Sequence, residues 1–148
     1  VNNVGAGHAL PTSLTEVREM WVELVVAGAD GFEVLSSGKI DSHEELPAGI
    51  FRLGAVAGAL NGEVTHKPWE VTQFLYNRVV APKGTQTEWY SVEVPIDVPG
   101  PISIRARLLY RIASPATLAL AMGEDAFIPT IAEVATASVV RPIGLPLE

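Results

Sequence analysis

The sequence predicts an all-β protein, an antiparallel two-layer β-sandwich with one short helix. Three observations carry this. Stretches in which apolar and polar side chains alternate recur along the chain, and period two is the spacing that gives a strand two distinct faces. Turn signals rich in glycine and proline separate these stretches at sandwich-like intervals. Only one segment carries a full set of helix start and stop residues. With 148 residues, 48% of them hydrophobic, the chain is long enough to form one domain around a buried core.

Residues 20–27 (MWVELVVA) form the first clear strand, with Met20, Val22, Leu24 and Val26 on one face and Trp21, Glu23 and Val25 on the other. Ala29-Asp30-Gly31 is a turn signal, and residues 32–35 read as the returning hairpin arm, ended by Ser36-Ser37-Gly38. From 39 to 63 the pattern dissolves into a glycine-punctuated stretch too long for an ordinary connection, expected to carry binding, short strands or an excursion over one end of the domain. Residues 69–80 (WEVTQFLYNRVV) are β-rich by composition, and 87–94 (TEWYSVEV) alternate until Pro95 and Pro99-Gly100-Pro101 stop them. The strongest strand pattern is 102–113. Ile102, Ile104, Ala106, Leu108 and Tyr110 are expected in the core, with Arg105, Arg107 and Arg111 forming a solvated ladder on the other face. Ser114 as N-cap, Pro115 at the first helical position and Gly123 at the stop define the helix. Residues 135–140 read as a closing strand.

Composition excludes several classes. The formal net charge is −7, with the acidic excess spread along the chain, which disfavours a nucleic-acid partner. There is no cysteine, so disulfides, zinc–cysteine sites, thiol catalysis and covalent haem attachment are all excluded. No run of eighteen apolar residues is present to span a membrane as a helix. No G-x-S-x-G elbow, phosphate loop or dinucleotide fingerprint occurs, and Ser13 and Ser114 lack a convincing base partner. The neighbouring carboxylates Glu44-Glu45 and Glu124-Asp125 do not give opposed acid–base geometry. The chain therefore reads as non-catalytic. It opens on Val1 without a methionine or a signal-like segment, and is expected to be a single domain over 1–148, a C-terminal fragment of a longer chain with residues 1–4 as the tail of a strand.

The most informative stretch is the first twenty-one residues, VNNVGAGHALPTSLTEVREMW. Gly5 and Gly7 bracket Ala6 and lead to His8, while Pro11 fixes its own φ and pushes Leu10 towards extended geometry. An imidazole at the end of such a loop can be aimed at something, although a histidine beside glycines also reads as a hydrogen-bonded loop residue. The run Asn3, Gly5, Ala6, Gly7, His8, Leu10, Pro11, Thr12, followed by Arg18, Met20 and Trp21, resembles the haem-free β-domain at the C-terminal end of bacterial multihaem c-type cytochromes. Ser13 stands where that pattern has glycine. His66, Trp69 and residues 77–84 (NRVVAPKG) are similar to the family's second patch, with Asn77 in place of aspartate and Ala81 in place of the first proline.

The resemblance implies an immunoglobulin-like or fibronectin-like sandwich in an extracytoplasmic protein, whether periplasmic, cell-surface or secreted. It implies a role in electron transfer by packing on a haem-bearing cytochrome segment or subunit. Gly5, Gly7 and His8 would form the cofactor-facing loop, with His8 as ligand to the iron of a haem c that this chain does not bind covalently. A homo-oligomer or filament stays open. Two further constellations stand beside it. Asp41, His43 and Glu45 alternate, so an extended backbone puts oxygen and imidazole donors on one face, as a divalent metal needs; a solvated acidic loop is the plainer reading of the same residues and the one favoured. His66 is expected either in an aromatic-lined site or packed on Trp69. The alternative to the cytochrome reading is an extracellular binding or adhesion module that uses residues 39–63 for a carbohydrate, metal or protein.

Overall fold

The computed structural model describes residues 1–40 and 45–143. Its elements are β1 (Glu19–Ala27), β2 (Glu33–Ser37), β3 (Arg52–Gly58), β4 (Val64–Thr65), β5 (Gln73–Arg78), β6 (Ile102–Arg111), helix α1 (Pro115–Met122) and β7 (Ala132–Arg141). All strand pairings are antiparallel. The expected all-β sandwich with one short helix is what forms.

Strand β1 is the hinge of the architecture because it changes partner along its length. One edge pairs with β6 from Glu19–Arg111 to Ala27–Ser103. The other edge pairs with β3 at Met20 and Trp21, then with β2 from Leu24 to Ala27. One layer thus runs β2-β1-β6-β7, and β3 carries β4 and β5 into the second. Between them Met20, Phe51, Leu53, Val80 and Leu108 form the core, joined by half-buried Val1, Leu10, Val22 and Tyr110. Met20 lies opposite Tyr110, and Val22 opposite Leu108, so the alternation read from the two strands converges on one face.

Two glycines are required by close approach. Gly38 follows β2 with φ +77°, and a Cβ there would stand 2.4 Å from the Val22 carbonyl oxygen. Its own carbonyl accepts from Trp21 Nε1 at 2.9 Å, satisfying the indole of a fully buried ring. Gly54 in β3 has φ +142°, and a Cβ would meet the Thr15 carbonyl at 2.8 Å. The β1–β2 turn closes as its residues dictate, with Gly31 at φ +85° and Asp30 Oδ1 accepting from Phe32 N at 3.0 Å. Helix α1 has the caps expected of it: Ser114 Oγ accepts from Thr117 N at 3.0 Å, Pro115 opens it, and Gly123 ends it at φ +60°.

Other expectations hold in part or are corrected. The 39–63 stretch does carry a strand, as one of its expected readings had it: β3, a core strand whose small residues (Gly54, Ala55, Ala57, Gly58) conceal its alternation. Residues 87–94 form no strand: they alternate, but no neighbouring strand supplies a hydrogen-bond ladder. The β-rich stretch from Trp69 opens instead with a 3₁₀ turn at Pro68–Glu70, and the strand begins at Gln73. The arginine ladder is corrected too, for of its three members only Arg105 is exposed. Arg111 is 1% exposed and its Nε lies 2.5 Å from Glu19 Oε2, while Arg107 grips Glu23 through bonds of 2.7–2.9 Å. The cause is register: Glu19 and Glu23 on β1 lie directly opposite Arg111 and Arg107, so each charge finds its partner across the strands. On the expected core face, Leu108 is buried, whereas Ile102, Ile104, Ala106 and Tyr110 are only half-buried. At the N-terminus, residues 1–3 run antiparallel to 84–86 about the Asn2–Thr85 bridge, with Gln86 N donating to Val1 O at 2.9 Å.

Candidate functional site

The His8 loop is held by one side chain. Asn3, 2% exposed, donates through Nδ2 to the carbonyls of His8 (2.8 Å) and Val80 (3.2 Å), and its Oδ1 accepts from Ala6 N at 3.1 Å. Its own backbone joins the 80–84 turn, since Asn3 N donates to Gly84 O at 3.0 Å and Asn3 O accepts from Lys83 N at 2.9 Å. Leu10 and Val80 exchange two backbone bonds of 2.9 and 2.8 Å at the loop's far end. The two sequence patches, 1–21 and 77–84, are therefore one structural unit.

On this frame His8 is exposed. Its Nδ1 lies 2.9 Å from the Ala9 carbonyl oxygen. A carbonyl only accepts, so in the neutral ring Nδ1 carries the proton and Nε2 keeps its lone pair. Gly5 and Gly7 have no positive φ, and a Cβ on either would meet nothing within 4 Å. The chain's own packing thus does not demand glycine there; the open space lies on the outer side of the loop. Ser13, standing in the place of glycine, does adopt the left-handed conformation at φ +50°, followed by Leu14 at +42°. Arg18 braces that turn, donating from Nε to Ser13 O at 3.0 Å and from a guanidinium nitrogen to the Tyr110 hydroxyl.

The other candidates are not brought together. His66 faces a cleft of about 570 Å³ lined also by Glu19, Glu45, Arg52, Ser114 and Leu120. Trp69, 71% exposed, lines a different, shallow groove with Leu60, Asn61 and Thr72. Asp41 and His43 lie outside the described residues; Glu45 Oε1 accepts from Ala116 N at 3.3 Å, at the start of α1. Among the described residues no group of three or more histidine, cysteine, aspartate or glutamate side chains is placed to hold a metal ion, and no helix is long and apolar enough to cross a membrane. Sequence reasoning missed Asn3 as the organiser of the loop. A buried asparagine among backbone carbonyls has no periodic signature.

Among the described residues two titrating groups are displaced. The Lys67 ammonium, hydrogen-bonded to the exposed Glu70 carboxylate, lowers its pKa, aided by the Thr65 hydroxyl. Partial burial raises the Tyr90 phenol, and the nearby Glu88 charge adds to it.

No protein-family model and no curated protein sequence matches the chain. Among solved structures, a penta-haem cytochrome c552 from Thermochromatium tepidum is similar in fold, with a TM-score of 0.66 at 17% identity. The match covers 92% of this chain but only 33% of that one, so the chain spans about a third of that cytochrome's length.

Proposed function

We propose that this chain is a non-catalytic module of an extracytoplasmic multihaem c-type cytochrome. It packs on a haem-bearing segment or subunit and presents His8 as axial ligand to a haem c attached elsewhere. The observation that carries this reading is the state of the imidazole, which is exposed, fixed through Nδ1 on the Ala9 carbonyl and left with a free donor atom at Nε2. A ligating histidine needs that arrangement, a neutral ring whose second nitrogen is tied down. The motif around His8, the fold shared with a penta-haem cytochrome and the lack of any cysteine for covalent attachment all support it.

When bound, the haem supplies one-electron chemistry at its iron. The work of this chain is positional. Asn3 fixes the His8 backbone, Gly5 and Gly7 leave room for a flat ring edge, and exposed Val4 offers apolar contact beside it. The rival reading as a binding module draws on the Trp69 groove, where an exposed indole stands among Asn61 and Thr72 as a stacking surface.

The test uses microperoxidase, a haem c peptide carrying one axial histidine, titrated with the chain and followed by its Soret band. The expected result is conversion to the low-spin, six-coordinate spectrum by the wild type and by His66→Ala, but not by His8→Ala. Equal binding by all three, or binding lost only in His66→Ala, overturns the assignment.

A further inference from the structure

Two arginines of the second layer line one groove. It encloses about 340 Å³ over β3 and β5, with Arg52 and Val56 contributed by one strand and Tyr76 and Arg78 by the other. Neither guanidinium is saturated by its own chain. That of Arg52 donates no hydrogen bond among the described residues; its nearest carboxylate, Glu19, lies 3.6 Å away and is already held by Arg111 at 2.5 Å. Arg78 makes one long bond, 3.4 Å, to Glu88. Its guanidinium stacks instead on Phe51 and Tyr76, 4.9 and 5.2 Å from their ring centres. Stacking uses the flat face of a guanidinium and leaves the N–H donors on its edge for a ligand. The two side chains are 30% and 31% exposed, so both are partly desolvated and still within reach. Arg107, by contrast, is fully engaged by Glu23.

We infer that this groove binds a small carboxylic acid with an apolar body, its carboxylate held by Arg52 and Arg78. Charge selects the head group. In a chain of net charge −7, the groove sets two arginines against one glutamate, Glu88, and a single negative charge balances the excess. Shape selects it as well, because the planar guanidinium fork matches the two oxygens of a carboxylate and donates to both. An anion placed there also relieves the repulsion between two like charges in a partly desolvated site. The walls select the rest of the molecule. Ile50 and Val56 are half-buried, and together with the Tyr76 ring they offer carbon surface to an apolar body. No residue of the His8 loop lines the groove, and the inference is independent of the role of His8.

Calorimetric titration of the chain with benzoate, a carboxylate on a flat apolar ring, tests it, with benzamide as the neutral analogue and inorganic phosphate as a second anion. Benzoate is expected to bind in the millimolar range, and benzamide and phosphate more weakly. Arg52→Gln and Arg78→Gln are each expected to weaken benzoate by about tenfold or more. Lys39→Gln removes the same charge from the exposed pair with Glu33 and is expected to leave benzoate binding unchanged. A second readout needs no variant: in the wild type the Nε–H NMR signals of Arg52 and Arg78 are expected to move with benzoate while that of Arg105 stays in place. No binding of benzoate overturns the inference, as does benzamide or phosphate bound as tightly. Binding unaltered in either arginine variant, or arginine signals that do not move, overturns it too.

Discussion

Asn3 is the side chain on which the geometry of the His8 loop depends, and replacing it gives a prediction with a sign as well as a size. Asn3→Ala removes three hydrogen bonds from a site that is 2% exposed. The Val80 carbonyl keeps its bond from Leu10 N, and the His8 carbonyl can turn to water. At about 1 kcal/mol net for each bond, the expected cost is about 2–3 kcal/mol. Asn3→Asp keeps the acceptor that serves Ala6 N but puts a carboxylate oxygen where Nδ2 donated to two carbonyls, at 2.8 and 3.2 Å. Three oxygens without a proton between them repel, so at neutral pH the aspartate variant is expected to be less stable than the alanine variant. A protonated carboxyl group regains a donor there, so the pKa of this aspartate is raised in the folded state. The stability it recovers is complete below the unfolded pKa and is lost as pH rises through the folded one. Urea unfolding of the two variants at acid and neutral pH measures this. An alanine variant within about 0.5 kcal/mol of wild type, or an aspartate variant no worse than alanine at neutral pH, refutes Asn3 as the loop's anchor.

Further outcomes follow from the same structure. Leu108→Ala, in the core beside Met20 and Leu53, is expected to cost about 2–5 kcal/mol in urea unfolding. The arginines of β6 are expected to separate by environment: Arg111→Ala removes the nearest partner of the buried Glu19 carboxylate, leaving it Arg52 at 3.6 Å, and costs about 3 kcal/mol, whereas Arg105→Ala stays within about 0.5 kcal/mol. By NMR titration the Glu70 side chain is expected to protonate below the ordinary 4.5, and Lys67→Met to move it upward. Because its folded pKa is lowered, its small contribution to stability is present above the unfolded pKa and fades as pH falls through the folded one. Salt above physiological strength is expected to reduce that displacement, since the pair is exposed.

The elements that local chemistry decides were legible in the sequence. The β1 and β6 strands alternate cleanly, the turn at Asp30-Gly31 carries its own signal, and Ser114, Pro115 and Gly123 delimit α1 to the residue. The elements that depend on distant partners were not. In strand β3 glycine and alanine fill four of seven positions, with Gly54 against the Thr15 carbonyl, and small residues carry no hydrophobic period. The 87–94 segment alternates as well as any strand, but alternation does not supply a neighbour to pair with. Arg111 looked solvated because arginine usually is; only the register that places Glu19 opposite reveals a buried pair. In the site, the motif pointed to His8 and its glycines, while Asn3 showed its part only once residues 3, 8 and 80 were seen to meet.

The most direct test of the central claim is the reduction potential of microperoxidase saturated with the chain, measured for wild type, His8→Met and His66→Met. If Nε2 of His8 holds the iron, replacing it with a thioether is expected to raise the potential, as methionine does relative to histidine at c-type haems. His66→Met is expected to leave the potential where the wild type has it. A potential that does not move with His8→Met, or that moves with His66→Met instead, would contradict the account.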